Sequence, residues 1–292
     1  MGRALITFDN SNQSNSVKDA LDLTGRVSLI TGGAGFLGIQ FAEAIAEMGG
    51  VPVLIDLNLE SLKCALDRIQ KLSPNSLSYV CDITDEDQLN SIKDAILKAY
   101  GRIDVLINNA ALTRYSVAEY DDSVYFASFE NMNLDVWKKA LDVNLTGSML
   151  CCKVFGGWMA QKKLGSIINL GSDVGVISPD QRIYAPDEGG GYSGMSFNTP
   201  LFYSVSKAAL IHMTKHLAAY WGSVGVRVNA LSPAGVYRDH DPAFVTRLSR
   251  LIPMGRMGYV DEYKGAIVFL ASDASSFVTG HNLIMDGGRT IW

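Results

Sequence analysis

Tyr203 and Lys207 stand four residues apart in Phe202-Tyr203-Ser204-Val205-Ser206-Lys207-Ala208-Ala209, at the start of a run that reads as a helix. On a helix, side chains at that spacing share a face. An ammonium beside a phenol favours the phenolate, so Tyr203 is expected to exchange a proton much closer to neutral pH than its reference value of about 10. Such a group can act as general acid and base. A Tyr and a Lys at this spacing also arise by chance on amphipathic helices, so the pair gains meaning only from what the other elements bring to it.

Those elements begin at Arg26, where short apolar runs start to alternate with amphipathic helices. Such alternation marks repeated βαβ units and a buried parallel sheet with helices on both faces, a Rossmann-type doubly wound α/β fold of about seven strands. The expected strands are Val27–Thr31, Val51–Ile55, Leu77–Cys81, Val105–Ile107, Ser166–Leu170, Val226–Leu231 and Asn282–Met285. Helices are expected through Leu37–Met48, Leu59–Ile69, from Thr84, over Leu134–Lys163, at Tyr203 and over Val260–Leu270.

In open parallel sheets a ligand lies outside the carboxyl ends of the strands, so those ends can be read in turn. The first is Thr31-Gly32-Gly33-Ala34-Gly35-Phe36-Leu37-Gly38, opening straight into a helix. Glycines there let the backbone turn tightly and approach a pyrophosphate, which free N–H groups and the helix dipole can hold. The second end is Asp56, whose carboxylate can accept the hydroxyls of an adenosine ribose and would repel a 2′-phosphate. No Lys or Arg lies in the glycine turn or directly after Asp56, so NAD is expected rather than NADP. The remaining ends are Asp82, Asn108-Asn109-Ala110-Ala111, Gly171-Ser172 and Ser232-Pro233-Ala234-Gly235. Within the long helix Asn144 falls on the apolar stripe of Trp137, Ala140, Leu141 and Leu145. A buried amide there must be hydrogen-bonded, either to fasten a helix distortion, to hold a proton-relaying water, or both.

The chain has 292 residues, 48% of them hydrophobic and 19% charged, enough for one large core. A net charge of −5 without a basic run excludes a phosphate backbone or anionic membrane as partner, and no stretch is long and apolar enough to span a bilayer. Residues 1–22 read as a polar leader with no targeting signal, and 23–292 as one domain in a cytoplasmic protein. Cys64, Cys81, Cys151 and Cys152 have no framework spacing and are expected to be small apolar fillers in a reducing compartment. His212 and His216 share a helix face without further ligands nearby in sequence, so no metal site is expected. Three connections exceed what βαβ units need, at about 112–133, 173–202 and 236–258. The second, rich in Gly and Pro and carrying Tyr184 and Tyr192, reads as a flap over a cleft.

With Thr31-Gly32 to Gly38, Asn108-Asn109-Ala110, Asn144, Ser172, Tyr203-x-x-x-Lys207, Arg227-Val228-Asn229 and Asp286-Gly287-Gly288 in this order, the chain resembles the single-domain branch of the short-chain dehydrogenase/reductase superfamily. The resemblance implies a catalytic tetrad: Tyr203 as acid and base, Lys207 lowering its pKa and binding the nicotinamide ribose, Ser172 polarising a carbonyl, and Asn144 anchoring a proton relay. It implies cofactor contacts at Gly32, Gly35, Phe36, Leu37, Gly38, Asp56, Asp82, Ile83, Asn109, Ala110, Tyr203, Lys207, Pro233, Gly235 and Val236. A homotetramer or homodimer and a small polar, sugar-like substrate are also implied. The ending and the Pro-rich flap look like reductases of flagellin or surface-glycan sugar biosynthesis. Three positions depart from the pattern: Phe36 replaces the usual middle glycine, Ala111 follows Asn-Asn-Ala, and Ala234 follows Pro233. The Gly32/Gly35/Gly38 spacing leaves open a sugar-nucleotide dehydratase or epimerase that recycles NAD. A catalytically idle dinucleotide-binding subunit is a further alternative, which the intact tetrad opposes.

Overall fold

The computed structural model describes residues 16–113, 122–184 and 198–292. Seven strands form one sheet in the order β3-β2-β1-β4-β5-β6-β7: β1 Val27–Thr31, β2 Val51–Asp56, β3 Leu77–Val80, β4 Val105–Asn108, β5 Gly165–Leu170, β6 Val226–Pro233 and β7 Asn282–Met285. Every neighbouring pair is parallel. The strand order reverses between β1 and β4, which opens the crevice of a doubly wound sheet there.

Alternate residues of each strand point to opposite faces, and both faces are covered. Leu29, Val53, Leu106 and Ile167 face one core with Phe155 and Trp221. Their neighbours Ile30, Leu54, Ile107 and Ile168 face the other with Phe41, Leu62 and Ile267. That is why the strands read as continuous apolar runs and not as alternating ones.

The helices are α1 Val17–Ala20, α2 Gly38–Glu47, α3 Leu59–Ile69, α4 Glu86–Tyr100, α5 Asp122–Tyr125, α6 Leu134–Leu141, α7 Ser148–Cys151, α8 Gly157–Lys162, α9 Leu201–Trp221, α10 Pro242–Ser249 and α11 Lys264–Ala271. Asn58, Asp85, Asn133 and Asp241 cap α3, α4, α6 and α10 with side-chain oxygens on free N–H groups. None of the helices among the described residues is long and apolar enough to cross a membrane.

Several expectations change. The cap of α4 is Asp85 rather than Thr84, because Thr84 is already bonded through its N–H and hydroxyl to Asp82 Oδ1 at 2.9 and 2.7 Å. The long helix is α6, α7 and α8 joined by two π turns, Asp142–Gly147 and Cys152–Gly156. Asn144 lies in the first. The leader is not wholly irregular, since α1 falls within it, and 1–15 lies outside the described residues. The 112–133 connection holds α5 and a small core of Leu112, Tyr125, Val136, Ala140 and Phe202. The third connection contains α10, whose Phe244 and Leu248 pack on Ile183, Ile252 and Met257. Residues 185–197 of the proposed flap, including Tyr192, lie outside the described residues. Cys81, Cys151 and Cys152 are buried as expected, but Cys64 is exposed and fills nothing.

A row of buried amides crosses the sheet near its carboxyl edge. Asn108 Nδ2 donates to Asn169 Oδ1 at 2.8 Å, and Asn169 Nδ2 donates to Thr214 Oγ1 at 2.9 Å, which joins β4, β5 and α9.

Candidate active site

Thr31 ends β1 and ties it to β4: its hydroxyl accepts from the N–H groups of Asn109 and Ala110, both at 3.1 Å. The Asn109 side chain returns the link, donating to Thr31 O at 3.1 Å and Gly32 O at 3.0 Å. Gly32 has φ +61° and packs so closely on Ala110 that a Cβ would stand 2.9 Å from its Cα. At Gly38 a Cβ would stand 2.1 Å from Gly32 O, so this glycine lets α2 begin directly on the strand end. Gly35 closes the turn through its N–H to Gly32 O at 3.0 Å. No side chain caps the amino end of α2, where Ile39 N already donates to Gly35 O at 3.1 Å, and the positive end of the helix dipole there suits an anion.

Phe36, the departure from the family pattern, is exposed, and Leu37 is half-buried on the core. The Arg238 guanidinium, from the loop after β6, lies over the Phe36 ring at 4.9 Å. It brings a cation to the glycine turn from far along the chain. Asp56 sits beside the same turn, accepting from Ala34 N at 3.3 Å and Asn58 N at 3.2 Å. Asp82 stands at the next strand end. Ile83, which follows Asp82, is buried in the core against Gly147. Pro233 pairs with Met285 at the end of β6, while Gly235 O accepts from Gly258 N at 3.1 Å and Val236 bridges Gly258. A Cβ on Gly235 would meet Leu248 of α10 at 2.6 Å, so these residues seat α10 beside the crevice. An uncapped helix end, a carboxylate at the second strand and a cation over the turn together fit a dinucleotide with its pyrophosphate at the glycines.

On the other side of the crevice, Pro200 precedes α9 in extended conformation, which starts the helix at Leu201 and puts Tyr203 and Lys207 in its first two turns. Lys207 is buried and its Nζ donates to Leu170 O at 2.6 Å, the last residue of β5. Burial brings its ammonium down to about 8. Ser172 is buried in extended conformation just past β5, and its hydroxyl donates to Asp173 Oδ1 at 2.9 Å.

The Tyr203 phenol does not behave as expected. Burial first, and then the Asp173 charge, push it up to about 12, and the hydrogen bond with Ser172 only partly opposes them. Lys207 lies 5.6 Å from the Tyr203 ring centroid with its own charge disfavoured by burial, so it does not draw the phenol down in this state. Tyr203 is therefore held as an acid.

Asn144 is fully buried, accepting at Oδ1 from Leu112 N at 2.6 Å and donating from Nδ2 to Ser206 Oγ at 3.1 Å. Ser206 donates on to Tyr203 O at 2.9 Å. The amide thus fastens the π turn to the start of α9, the first of the two roles expected for it. Ser148 Oγ donates to Asn144 O at 3.1 Å, where the π turn has loosened the helical ladder.

Ser172, Tyr203 and Lys207 come together at the end of β5, with Asn144 supporting them through Ser206. The glycine turn, Asp56 and Asn109 form a separate cluster across the crevice. Sequence reasoning missed Asp173, Arg289 and Ser206. The first follows Ser172 directly, the second follows Asp286-Gly287-Gly288, and the third is adjacent to Lys207, so position alone could have flagged them. Among the described residues no group of three His, Cys, Asp or Glu could hold a metal.

A family profile described as short chain dehydrogenase matches residues 26–185, and one described as Enoyl-(Acyl carrier protein) reductase matches 191–290. The chain belongs to the short-chain dehydrogenase/reductase superfamily. D-threitol dehydrogenase of Mycolicibacterium smegmatis is 32% identical over 284 residues, covering 96% of this chain and 98% of that protein. NAD-dependent glycerol dehydrogenase of Listeria innocua is 32% identical, covering 92% of this chain and 96% of that protein. Among solved structures, a gluconate 5-dehydrogenase from Burkholderia cenocepacia in complex with NADP and tartrate is 29% identical with a TM-score of 0.81, covering 95% of this chain and 100% of that one. The protein is thus an oxidoreductase acting on CH–OH groups.

Proposed function

We propose that the protein is an NAD(H)-dependent enzyme that interconverts a secondary alcohol and a ketone on a small polyol or sugar-like substrate, with Tyr203, Lys207, Ser172 and Asn144 as its tetrad. The observation that carries this reading is the gathering at the end of β5 of the buried Ser172 hydroxyl, the half-buried Tyr203 phenol and the buried Lys207, whose Nζ donates to Leu170 O at 2.6 Å and lies 5.6 Å from the Tyr203 ring centroid. The relatives named above handle threitol, glycerol and gluconate, which favours a polyol over a flagellin or glycan sugar nucleotide.

NAD, when bound, supplies the C4 carbon that gives or takes the hydride. The uncapped end of α2 would hold its pyrophosphate and Asp56 its adenosine ribose. In reduction Tyr203 gives its proton to the carbonyl oxygen, which Ser172 holds by a hydrogen bond, and the ketone becomes an alcohol. Lys207 gains and loses a proton near neutral pH and so can refill the phenol. Asn144 keeps the helix start in place through its bonds to Leu112 N and Ser206 Oγ. Residues 23–292 act as one unit, and pairing of the long helices into a homodimer or homotetramer is the assembly this reading favours, measurable by light scattering.

Asp56 sets the cofactor. Its carboxylate disfavours a 2′-phosphate, and the Arg238 guanidinium that reaches the glycine turn lies over the Phe36 ring. A panel of threitol, glycerol, xylitol, gluconate and their keto forms, assayed with NAD and NADP, tests both claims. The wild type is expected to prefer NAD, and Asp56→Ala to lower the ratio of kcat/KM for NAD over NADP by about tenfold or more. An NADP preference in the wild type would refute the role given to Asp56. The Gly32/Gly35/Gly38 spacing keeps a dehydratase or epimerase as the second reading, and conversion of a sugar nucleotide with no net change at the nicotinamide band would establish it.

A further inference from the structure

Asp173 is 3% exposed, and Arg289, at 6%, reaches it from the turn that follows β7. The two meet at 2.5 Å, Nη1 to Oδ2. The other carboxylate oxygen accepts from the Ser172 hydroxyl at 2.9 Å and from Val174 N at 2.8 Å. Arg289 is held in turn by a tail that Asp286 fastens, accepting from Gly288 N at 2.9 Å and Thr290 N at 2.6 Å. A buried ion pair costs several kcal/mol of desolvation per charge, and apolar residues of similar volume often stabilise as well or better. Stability alone is a poor account of one placed against Ser172. An ionised carboxylate only accepts, so in the site without substrate Ser172 gives its one hydroxyl proton to Asp173, which fixes the rotation of that hydroxyl until a substrate carbonyl oxygen takes the proton's hydrogen bond in its place.

We propose that Asp173 and Arg289 are a positioning pair of the active site: the carboxylate fixes the Ser172 hydroxyl, and the guanidinium anchors that carboxylate and offsets its charge at the Tyr203 phenol. This rests on the reading of Ser172 and Tyr203 given above. The polar groups around the phenol are Ser172 and Asp173 after β5, Tyr184 from the 3-10 turn Gln181–Tyr184, and Lys207 on its own helix. Arg289 stands behind Asp173, and the Asp173 charge is also felt by Tyr184 and by Tyr263, which Asp286 and Glu262 face as well. After burial, the Asp173 charge is the largest influence holding the phenol protonated. Removing the carboxylate therefore lowers the pH at which Tyr203 ionises, and removing the guanidinium raises it, because nothing then offsets the carboxylate beside the phenol.

Two readouts test the pair in the full-length protein. One is the pH profile of kcat/KM for alcohol oxidation. The other is the Tyr203 resonance in cofactor-free protein labelled with ζ-¹³C tyrosine, assigned by its loss in Tyr203→Phe. Asp173→Asn is expected to move both midpoints down by about one pH unit and Arg289→Met to move them up by a similar amount. Arg289→Lys keeps the cation and is expected to leave the midpoints in place while lowering kcat. Asp173→Asn with Arg289→Met is expected to return toward the wild type, and reads the guanidinium's share if Arg289→Met alone does not fold. Shifts of the same sign from both single variants would overturn the proposal, as would unchanged midpoints in folded variants. If the wild type turned over no alcohol or ketone, the dehydrogenase reading would fall instead, while the resonance would still report on the pair.

Discussion

Across the crevice from each other lie two clusters that use the chain in different ways. At the glycine turn the working groups are backbone: the amino end of α2, which no side chain caps, and Gly32 and Gly38 packed where no Cβ fits. At the end of β5 they are side chains with shifted protonation, Tyr203 at about 12 and Lys207 at about 8, with a buried ion pair beside them. The glycine turn works through its backbone path, so it is damaged by substitutions that change that path. The second cluster can be silenced by exchanging single atoms and leaving the path alone.

Three experiments press on that contrast. Tyr203→Phe removes one oxygen and is expected to cut turnover by about 10²–10⁴-fold, with NADH binding by fluorescence and the melting temperature near the wild type. Loss of binding along with turnover would show that the two clusters are not separable. Gly38→Ala is expected to do the reverse: its Cβ meets Gly32 O, so denaturant unfolding should show a loss of about 1–3 kcal/mol together with weaker NADH binding. Normal stability and binding in that variant would refute the claim that the glycine turn works through backbone contact.

The smallest effect is on pH dependence. Lys207 has its pKa lowered from 10.5 to about 8 by burial, so the unfolded chain holds its proton more firmly over that interval. The folded state therefore gains stability from this group as pH rises from about 8 toward 10.5, and loses it as pH falls. Tyr203 acts in the opposite sense and higher, its contribution being lost as pH rises from 10 toward 12. Lys207→Met should flatten the rise between pH 8 and 10.5 in thermal melts of cofactor-free protein. An unchanged slope would mean that the ammonium is better solvated than its surroundings indicate.

Much of the frame was legible because it follows from local rules. Every strand was found within two residues of its end, since buried parallel strands are short apolar runs, and the groups at their ends fell where the crevice opens. Asn144 could be singled out by an amide on an apolar stripe, and it does sit in a π turn bonded to Leu112 and Ser206. What escaped depends on burial and on distant chain. The direction of the Tyr203 shift is set by desolvation and by Asp173, neither of which spacing along a helix can report. Arg289 lies 116 residues from Asp173 in sequence, and Arg238 reaches Phe36 only because β6 lies on the far side of the switch from the glycine turn. The cap of α4 shifted by one residue because Thr84 had a competing bond to Asp82.

The Asn108, Asn169 and Thr214 chain bears on how reliably this edge is assembled. Asn108 and Asn169 are partners in strict register, and with Thr214 they are 1%, 0% and 1% exposed. A slip of one residue between β4 and β5 would turn one amide to the opposite face and strand the other among hydrocarbon, while the branched aliphatic residues beside them would tolerate the misalignment far better. Polar groups thus proofread the alignment of the ledge that carries Asn109 and Ser172, and mispaired chains would be rejected during folding before any chemistry is at stake.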